Sequence, residues 1–277
     1  MKYFILSLTL IVVMLFMKTL NACEFREENF ESKAISQKEY YTVLLPKNHD
    51  PSLSYSAVYF LHGRGGDRHN IQSLEFCKQL DAWIDKGGTP FIMIAPDGKN
   101  SYWMNGALTH QNWGDMVASE LIADVESKFP LISSPKGRMI AGISMGGHGA
   151  IQISLNYPNV FGAIAAHSPV FRTQEEASRD FYYEFGTGVD YQKRDPFSLM
   201  MIFKKSLNVP IFIDMGGSDP WITNTRNFAH YLTKIGYEGE EHVGEDLIGG
   251  HSGEYWNHHM VSYMAWYGKN LLPPRQL

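Results

Sequence analysis

Strand-like and helix-like segments alternate along this chain, which predicts an α/β fold: a mostly parallel central sheet with helices on both faces. Three observations carry that expectation. Short runs of apolar, β-branched or aromatic residues recur from Tyr40 to Met215. Most are separated by stretches with helical spacing of their apolar residues. There are no internal repeats or low-complexity linkers, and the length suits one large domain with a substantial core.

The elements follow in order. Tyr40–Leu45 and Ala57–Leu61 read as strands, the second ending in His62-Gly63-Arg64-Gly65-Gly66. A helix is expected near Ser73–Lys86. Phe91–Ala95 is an apolar strand that stops at Pro96-Asp97-Gly98, a turn signal. In Asp115–Phe129 the residues Val117, Leu121, Ile122 and Val125 share one helical face. Met139–Ile143 is a strand, Gly147–Leu155 the helix after it, and Phe161–Ala166 the next strand. Residues 169–208 break the rhythm with charges and with Phe181, Tyr182, Tyr183, Phe185 and Tyr191. An insertion over the functional face and an ordinary packed excursion both fit that segment. Regularity resumes with strand Val209–Met215, helix Thr223–Lys234, a short strand Glu240–Val243 and a closing helix Tyr255–Leu271.

The first 22 residues read as a cleaved export signal rather than as part of the fold. Lys2 precedes an apolar stretch from Tyr3 to Met17, and Leu20-Asn21-Ala22-Cys23 ends the segment with a small residue at the cut. Lys18 interrupts the apolar run before the ~20 residues that a membrane span requires. Leu-Asn-Ala-Cys also resembles a bacterial lipobox, which would make Cys23 a lipidated first residue and attach the protein to a membrane. The expected location is therefore periplasmic, secreted or lipid-anchored to the cell envelope. Residues 23–277 form the expected single domain. Losing Lys2 and Lys18 and no acid moves the formal charge from −5 to about −7, and no basic tract offers a nucleic-acid surface. Cys23 and Cys77 are the only cysteines; they could pair in an oxidising compartment, though not if Cys23 carries a lipid. No spacing suggests a metal site.

Gly142-Ile143-Ser144-Met145-Gly146 reads G-x-S-x-G between a strand and a helix, the setting of a nucleophile elbow. The sharp turn requires neighbours without bulk, and glycine at 142 and 146 supplies them. A serine hydroxyl needs a base to take its proton and an acid to orient that base. In α/β-hydrolases these follow in the order serine, acid, histidine, on loops at the carboxyl ends of successive strands. Asp219, in the loop after Val209–Met215, is the expected acid; Asp214, inside the strand, suits a structural role, bonding nearby backbone. His251, in a glycine loop before the closing helix, is the expected base. His148, His167 and His230 come too early in the chain, His242 falls within a strand, and His258 and His259 are adjacent in a helix and point apart.

Attack at a carbonyl creates an oxyanion that needs two preorganised N–H donors. The N–H of Met145 is one. The other is expected from the His62–Gly66 loop, at the Arg64 N–H, with the Gly63 or Gly65 N–H as the next candidates, and Gly63 and Gly65 are also expected against substrate. That loop lacks the Lys-Ser/Thr ending of a phosphate-binding loop. Trp103, Trp113, Trp221 and Trp256 fall in segments near the catalytic ends of strands. Trp103 and Trp221 are the expected substrate contacts, whereas core packing suits Trp256 and Trp113. The Arg64 side chain could meet an anionic substrate group or make a surface ion pair.

Leu61-His-Gly-Arg-Gly-Gly-Asp67, Ala141-Gly-Ile-Ser-Met-Gly-Gly147, Gly217-Ser-Asp219 and Gly249-Gly-His251 with Tyr255-Trp256 together resemble the putative esterase family. That family groups esterase D (S-formylglutathione hydrolase), feruloyl and acetyl xylan esterases, tributyrin esterases and the antigen 85 mycolyltransferases. The resemblance spans roughly residues 38–271. It implies an α/β-hydrolase fold, no cofactor, and Ser144, Asp219 and His251 as the triad. The chain departs from many relatives at Arg64, where they carry Tyr or another uncharged residue. The expected activity is that of a serine carboxylesterase acting on small esters, either short-chain acyl or acyl-carbohydrate such as acetyl or feruloyl sugar esters. Export argues against the glutathione thioester of cytosolic relatives. Two other classes share the scaffold: an acyltransferase passing the acyl group to a sugar or other alcohol, and a non-catalytic binding protein.

Overall fold

The computed structural model describes residues 22–203, 208–237, 240–243 and 249–277. Residues 1–21, where the export signal is expected, lie outside that set, as do residues 204–207 of the 169–208 segment.

The strands are β1 (Glu24–Ser32), β2 (Gln37–Leu45), β3 (Leu53–Ser54), β4 (Ala57–Leu61), β5 (Ile92–Pro96), β6 (Arg138–Ile143), β7 (Ala163–His167), β8 (Ile211–Met215), β9 (Glu240–Val243) and β10 (Arg275–Gln276). Eight of them form one sheet in the order β1-β2-β5-β4-β6-β7-β8-β9, while β3 and β10 pair separately. The sheet is parallel from β5 to β9; β1 and β2 join it antiparallel. This is the mostly parallel sheet that the alternating pattern predicts. β1 is an addition to that pattern: Glu24–Ser32 is charged and half exposed because it pairs on one side only, so it carries no apolar run.

Along β4 the side chains alternate between two cores. Ala57, Tyr59 and Leu61 face one, and Val58 and Phe60 face the other. The helices are α1 (Asn70–Ser73), α2 (Phe76–Asp85), α3 (Trp113–Asp115), α4 (Ile122–Lys128), α5 (Met145–Asn156), α6 (Gln174–Asp180), α7 (Tyr182–Phe185), α8 (Val189–Gln192), α9 (Pro196–Phe203), α10 (Ile222–Lys234) and α11 (Gly253–Lys269). α2 and α11 cover the Val58–Phe60 face through Phe76, Leu80, Met260, Tyr263, Met264 and Tyr267. The other face is covered by α4, α5 and α10. Two expected helices are interrupted. Glu75 takes φ 53° and separates α1 from α2, and a π-helical stretch, Met116–Leu121, lies between α3 and α4.

Residues 169–208 resolve into α6 to α9, stacked outside α5. Phe171, Phe185, Leu199 and Met200 join the same core as the sheet. α5 is consequently buried on all sides, with only Asn156 at its end partly exposed. The segment is thus packed scaffold, and its α6–α7 junction also brings Phe181 beside the site described below. Cys23, ahead of β1, forms a disulfide with Cys77 of α2, and the Cys23 backbone N–H donates to Asp81 at 3.3 Å. Among the described residues, no helix is long and apolar enough to cross a membrane.

One buried acid makes stability depend on pH. Glu39 of β2 is 2% exposed and accepts the Asp97 N–H at 2.8 Å; burial pushes its carboxyl up to about 8. The folded chain holds this proton between about pH 4.5 and 8 while the unfolded chain releases it. The stabilisation is therefore complete at acid pH and lost as the pH rises through 8. Glu39→Gln keeps the acceptor without the charge. Urea unfolding should show the variant more stable than wild type at pH 9, by on the order of 2 kcal/mol, with the difference shrinking toward pH 5.

Candidate active site

The turn from β6 into α5 places Ser144 at φ 56° and ψ −118°, a backbone conformation rare for any residue with a side chain. Three backbone hydrogen bonds hold it: Ser144 N–H to His167 O at 2.8 Å, Val170 N–H to Ser144 O and His148 N–H to Ser144 O, each at 3.2 Å. The turn sits against the end of β4 so tightly that a Cβ on Gly146 would collide with the Leu61 carbonyl. A Cβ on Gly63 would meet the Ser144 Cβ at 3.1 Å. Gly146 is required by close approach, as is Gly142, where a Cβ would lie 2.4 Å from the Gly146 carbonyl, and that is the physical content of the motif.

Ser144 Oγ lies 2.7 Å from His251 Nε2, and His251 Nδ1 lies 2.8 Å from Asp219 Oδ2. Residues 107 apart and 32 apart in the chain are thus joined in one hydrogen-bonded line. Asp219 is buried, and its other oxygen accepts the Trp221 N–H at 2.9 Å, which fixes the carboxylate. The loops that bring the acid and the histidine are tied together, Ser218 N–H donating to Gly249 O at 3.0 Å. Ser252 then caps α11 by accepting the Tyr255 N–H, so His251 stands just outside a fixed helix start. Of the rival histidines, His148 is fully buried and burial pushes it down to about 3, which leaves it neutral. For His242 only the strand backbone lies within the described residues.

Two backbone donors point to an oxyanion site. Neither the Met145 N–H nor the Arg64 N–H has an acceptor among the described residues. The Gly65 N–H is committed to Asn100 Oδ1 at 2.8 Å, so Gly65 lines the cleft without being a donor to it, which corrects one reading of the loop. His62 roots the same loop. Its Nδ1 donates to Gly63 O at 2.7 Å and its Nε2 accepts the Gly98 N–H at 2.9 Å; burial lowers its pKa, consistent with the neutral ring those two bonds demand. Sequence reading passed over His62 and Asn100. The histidine next to the glycines was a usable signal, whereas nothing local marks Asn100.

The aromatic expectations divide. Trp103 is completely buried, its ring packed against Gly98 and Gly149 and its Nε1 donating to His62 O at 3.1 Å. It supports the loop from beneath and has no surface for substrate, so that expectation is corrected. Trp113 is core, as expected. Trp221 is half-buried, its ring 4.6 Å from the His251 ring. Trp256, expected in the core, instead lies 5.3 Å from His251 on its other contact and lines the cleft, held by its Nε1–H to Ser168 Oγ at 3.1 Å. The first turns of α11 run along the cleft, so Trp256, five residues past His251, faces inward. The cleft measures about 430 Å³ and is bordered by Gly63, Arg64, Gly65, Ser144, His251, Trp256 and Asn257.

A second histidine–carboxylate pair lies buried nearby, at the ends of β7 and β8. Asp214 accepts from His167 Nδ1 at 2.6 Å, from Tyr263 Oη at 2.6 Å and from Tyr255 Oη at 2.8 Å, while Tyr267 Oη meets His167 Nε2 at 2.6 Å. Asp214 has the structural role foreseen for it, but through side chains rather than nearby backbone. Asp214 and His167 together fasten three tyrosines of α11 to the sheet. Losing one partner here strands buried polar groups, which is costly. Asp214→Asn should lower the unfolding free energy by about 3 kcal/mol in urea denaturation, and Tyr255→Phe by about 1 kcal/mol.

The comparisons with known proteins agree with this architecture. The family model described as Putative esterase matches residues 32–267. An esterase of Mycobacterium tuberculosis is 29% identical over 144 residues, which are 50% of this chain and 31% of that protein; the chain thus spans about a third of the length of the mycobacterial esterases it matches. An acetyl esterase of Caldicellulosiruptor saccharolyticus is 24% identical over 266 residues, 87% of this chain and 97% of that one. Among solved structures, a ferulic acid esterase superposes with a TM-score of 0.78 at 21% identity, covering 91% of this chain and 100% of that chain. The fold is accordingly that of an α/β-hydrolase.

Proposed function

We propose that this chain, which belongs to the putative esterase family, is a serine carboxylesterase acting on small esters through an acyl-enzyme. The observation that carries the reading is the continuous line Ser144–His251–Asp219, at 2.7 and 2.8 Å, opening onto a cleft with two unused backbone donors. His251 takes the Ser144 proton as Oγ bonds to the ester carbonyl carbon. The carbonyl π electrons move onto oxygen, where the Met145 and Arg64 N–H groups receive the negative charge. Asp219 stabilises the imidazolium. The intermediate collapses with cleavage of the carbon–oxygen ester bond, and the alcohol leaves with the proton from His251. Water then repeats the sequence on the acyl-enzyme, releasing the acid and restoring Ser144.

Short-chain acyl or acyl-carbohydrate esters suit a cleft of this size lined by Trp256, with the Trp221 ring also packed on His251. Hydrolysis of p-nitrophenyl acetate and butyrate tests the reading. Ser144→Ala should lower kcat about 10⁴-fold or more, and Asp219→Asn about 10³- to 10⁴-fold, with the unfolding midpoint of each close to wild type. Equal background rates in wild type and Ser144→Ala would sink it. A product that carries the acyl group on an added alcohol in preference to water would identify an acyltransferase instead.

We also place this protein outside the cytoplasm, cleaved after Ala22 and unlipidated. The disulfide uses the Cys23 sulfur that a lipid would occupy, and cleavage there would set the new ammonium beside Asp81. Intact mass of the exported protein should match residues 23–277 less two hydrogens. A mass higher by a diacylglyceryl group would establish the lipoprotein route.

A further inference from the structure

Arg64 and Arg172 form a cationic rim beside Ser144, and we propose that it selects esters bearing an anionic group, a carboxylate or phosphate on the acyl or the alcohol part. The inference rests on the esterase reading and concerns which esters that site prefers.

The two guanidinium groups converge on one ring. Arg64 Cζ and Arg172 Cζ each lie 5.2 Å from the centre of Phe181, so they are separated by no more than the sum of those distances. Arg64 is exposed and borders the cleft with Ser144 and His251. Arg172 is linked to the site through Trp221: its Cζ lies 5.6 Å from the Trp221 ring, which in turn packs on His251. Its Nε–H donates to Tyr102 Oη at 3.0 Å, which holds the head group in place.

Neither arginine has a carboxylate within ion-pair distance among the described residues, although the whole chain carries excess acid. Five other arginines, Arg26, Arg68, Arg138, Arg179 and Arg194, each have an acidic partner, whereas the surface residues Arg226 and Arg275 have none among the described residues. Asp180 senses both guanidinium groups electrostatically, but it makes its two hydrogen bonds to Arg179. Two like charges gathered at one ring, neither in an ion pair among the described residues, repel each other, and a bound anion relieves that cost. Apart from the Arg172 Nε–H, no guanidinium N–H of either residue has an acceptor among the described residues, which leaves donors for a planar carboxylate or a phosphate. The surface-ion-pair alternative for Arg64 is therefore not what the structure holds.

Matched esters separate the charge from the shape. For the acyl side, p-nitrophenyl hemisuccinate is compared with p-nitrophenyl butyrate; for the alcohol side, 4-acetoxybenzoate with 4-acetoxybenzamide. On at least one side the anionic ester should have the higher kcat/KM, by about tenfold or more at low salt, and the ratio should fall as ionic strength rises. Arg172→Gln and Arg64→Gln should each cut that ratio several-fold, and Arg172→Lys should restore part of it. Calorimetric titration of Ser144→Ala with 4-acetoxybenzoate, hemisuccinate ester and their neutral partners reads the same preference without turnover. Tighter binding of the anion there supports the rim even if hydrolysis fails. Neutral esters preferred on both sides, or a ratio that the glutamine variants leave unchanged while all rates drop together, would overturn the proposal and leave Arg172 as a brace for Tyr102.

Discussion

Everything at this site depends on one close approach: the β6–α5 turn pressed against the end of β4. A non-glycine residue at φ 56° and ψ −118° costs on the order of 1–3 kcal/mol, and it persists only where its surroundings over-determine it. Here they do. Gly146 lies against the Leu61 carbonyl, and the Ser144 peptide is bonded to the ends of two neighbouring segments. The same contact that strains Ser144 delivers the His62–Gly66 loop to it, because that loop begins where β4 ends. Ser144 and the two unused N–H donors are therefore set by one piece of packing.

Two histidine–carboxylate pairs stand at adjacent strand ends and differ in access. His251 and Asp219 sit on loops, with the imidazole partly open to the cleft. His167 and Asp214 sit on strands, sealed under three tyrosines of α11. The chemistry of the groups is the same, and burial separates their roles. The sealed pair anchors the helix whose first turn follows His251, so it holds that histidine in place from beneath the sheet ends. A carboxylate on a loop can turn toward its histidine; one in a strand must take whatever partners the sheet provides.

The 169–208 segment shows how packing and recognition share residues. Its helices bury the outer side of α5, and the ring of Phe181 at their junction gathers Arg172 and Arg64 beside the nucleophile. A segment without strand or helix rhythm offers little to read, since its short helices are ordered by the core they cover rather than by their own periodicity. The bias towards aromatic residues was visible; what the rings do was not.

The sequence by itself determined the alternation of strands and helices, the order of Ser144, Asp219 and His251, and the glycines that allow the elbow. These are local or ordinal properties: apolar period, turn chemistry and position after a strand are written in neighbouring residues. The tertiary structure alone decided which tryptophans see solvent. Trp103 and Trp256 occupy similar-looking segments, yet one lies beneath the oxyanion loop and the other faces the cleft. It alone also joined Gly65 to Asn100, Cys23 to Cys77, and Arg64 to Arg172 across Phe181. Those partners are 35, 54 and 108 residues apart. Burial and long-range pairing arise from how the layers stack, and no window of neighbouring residues contains that information.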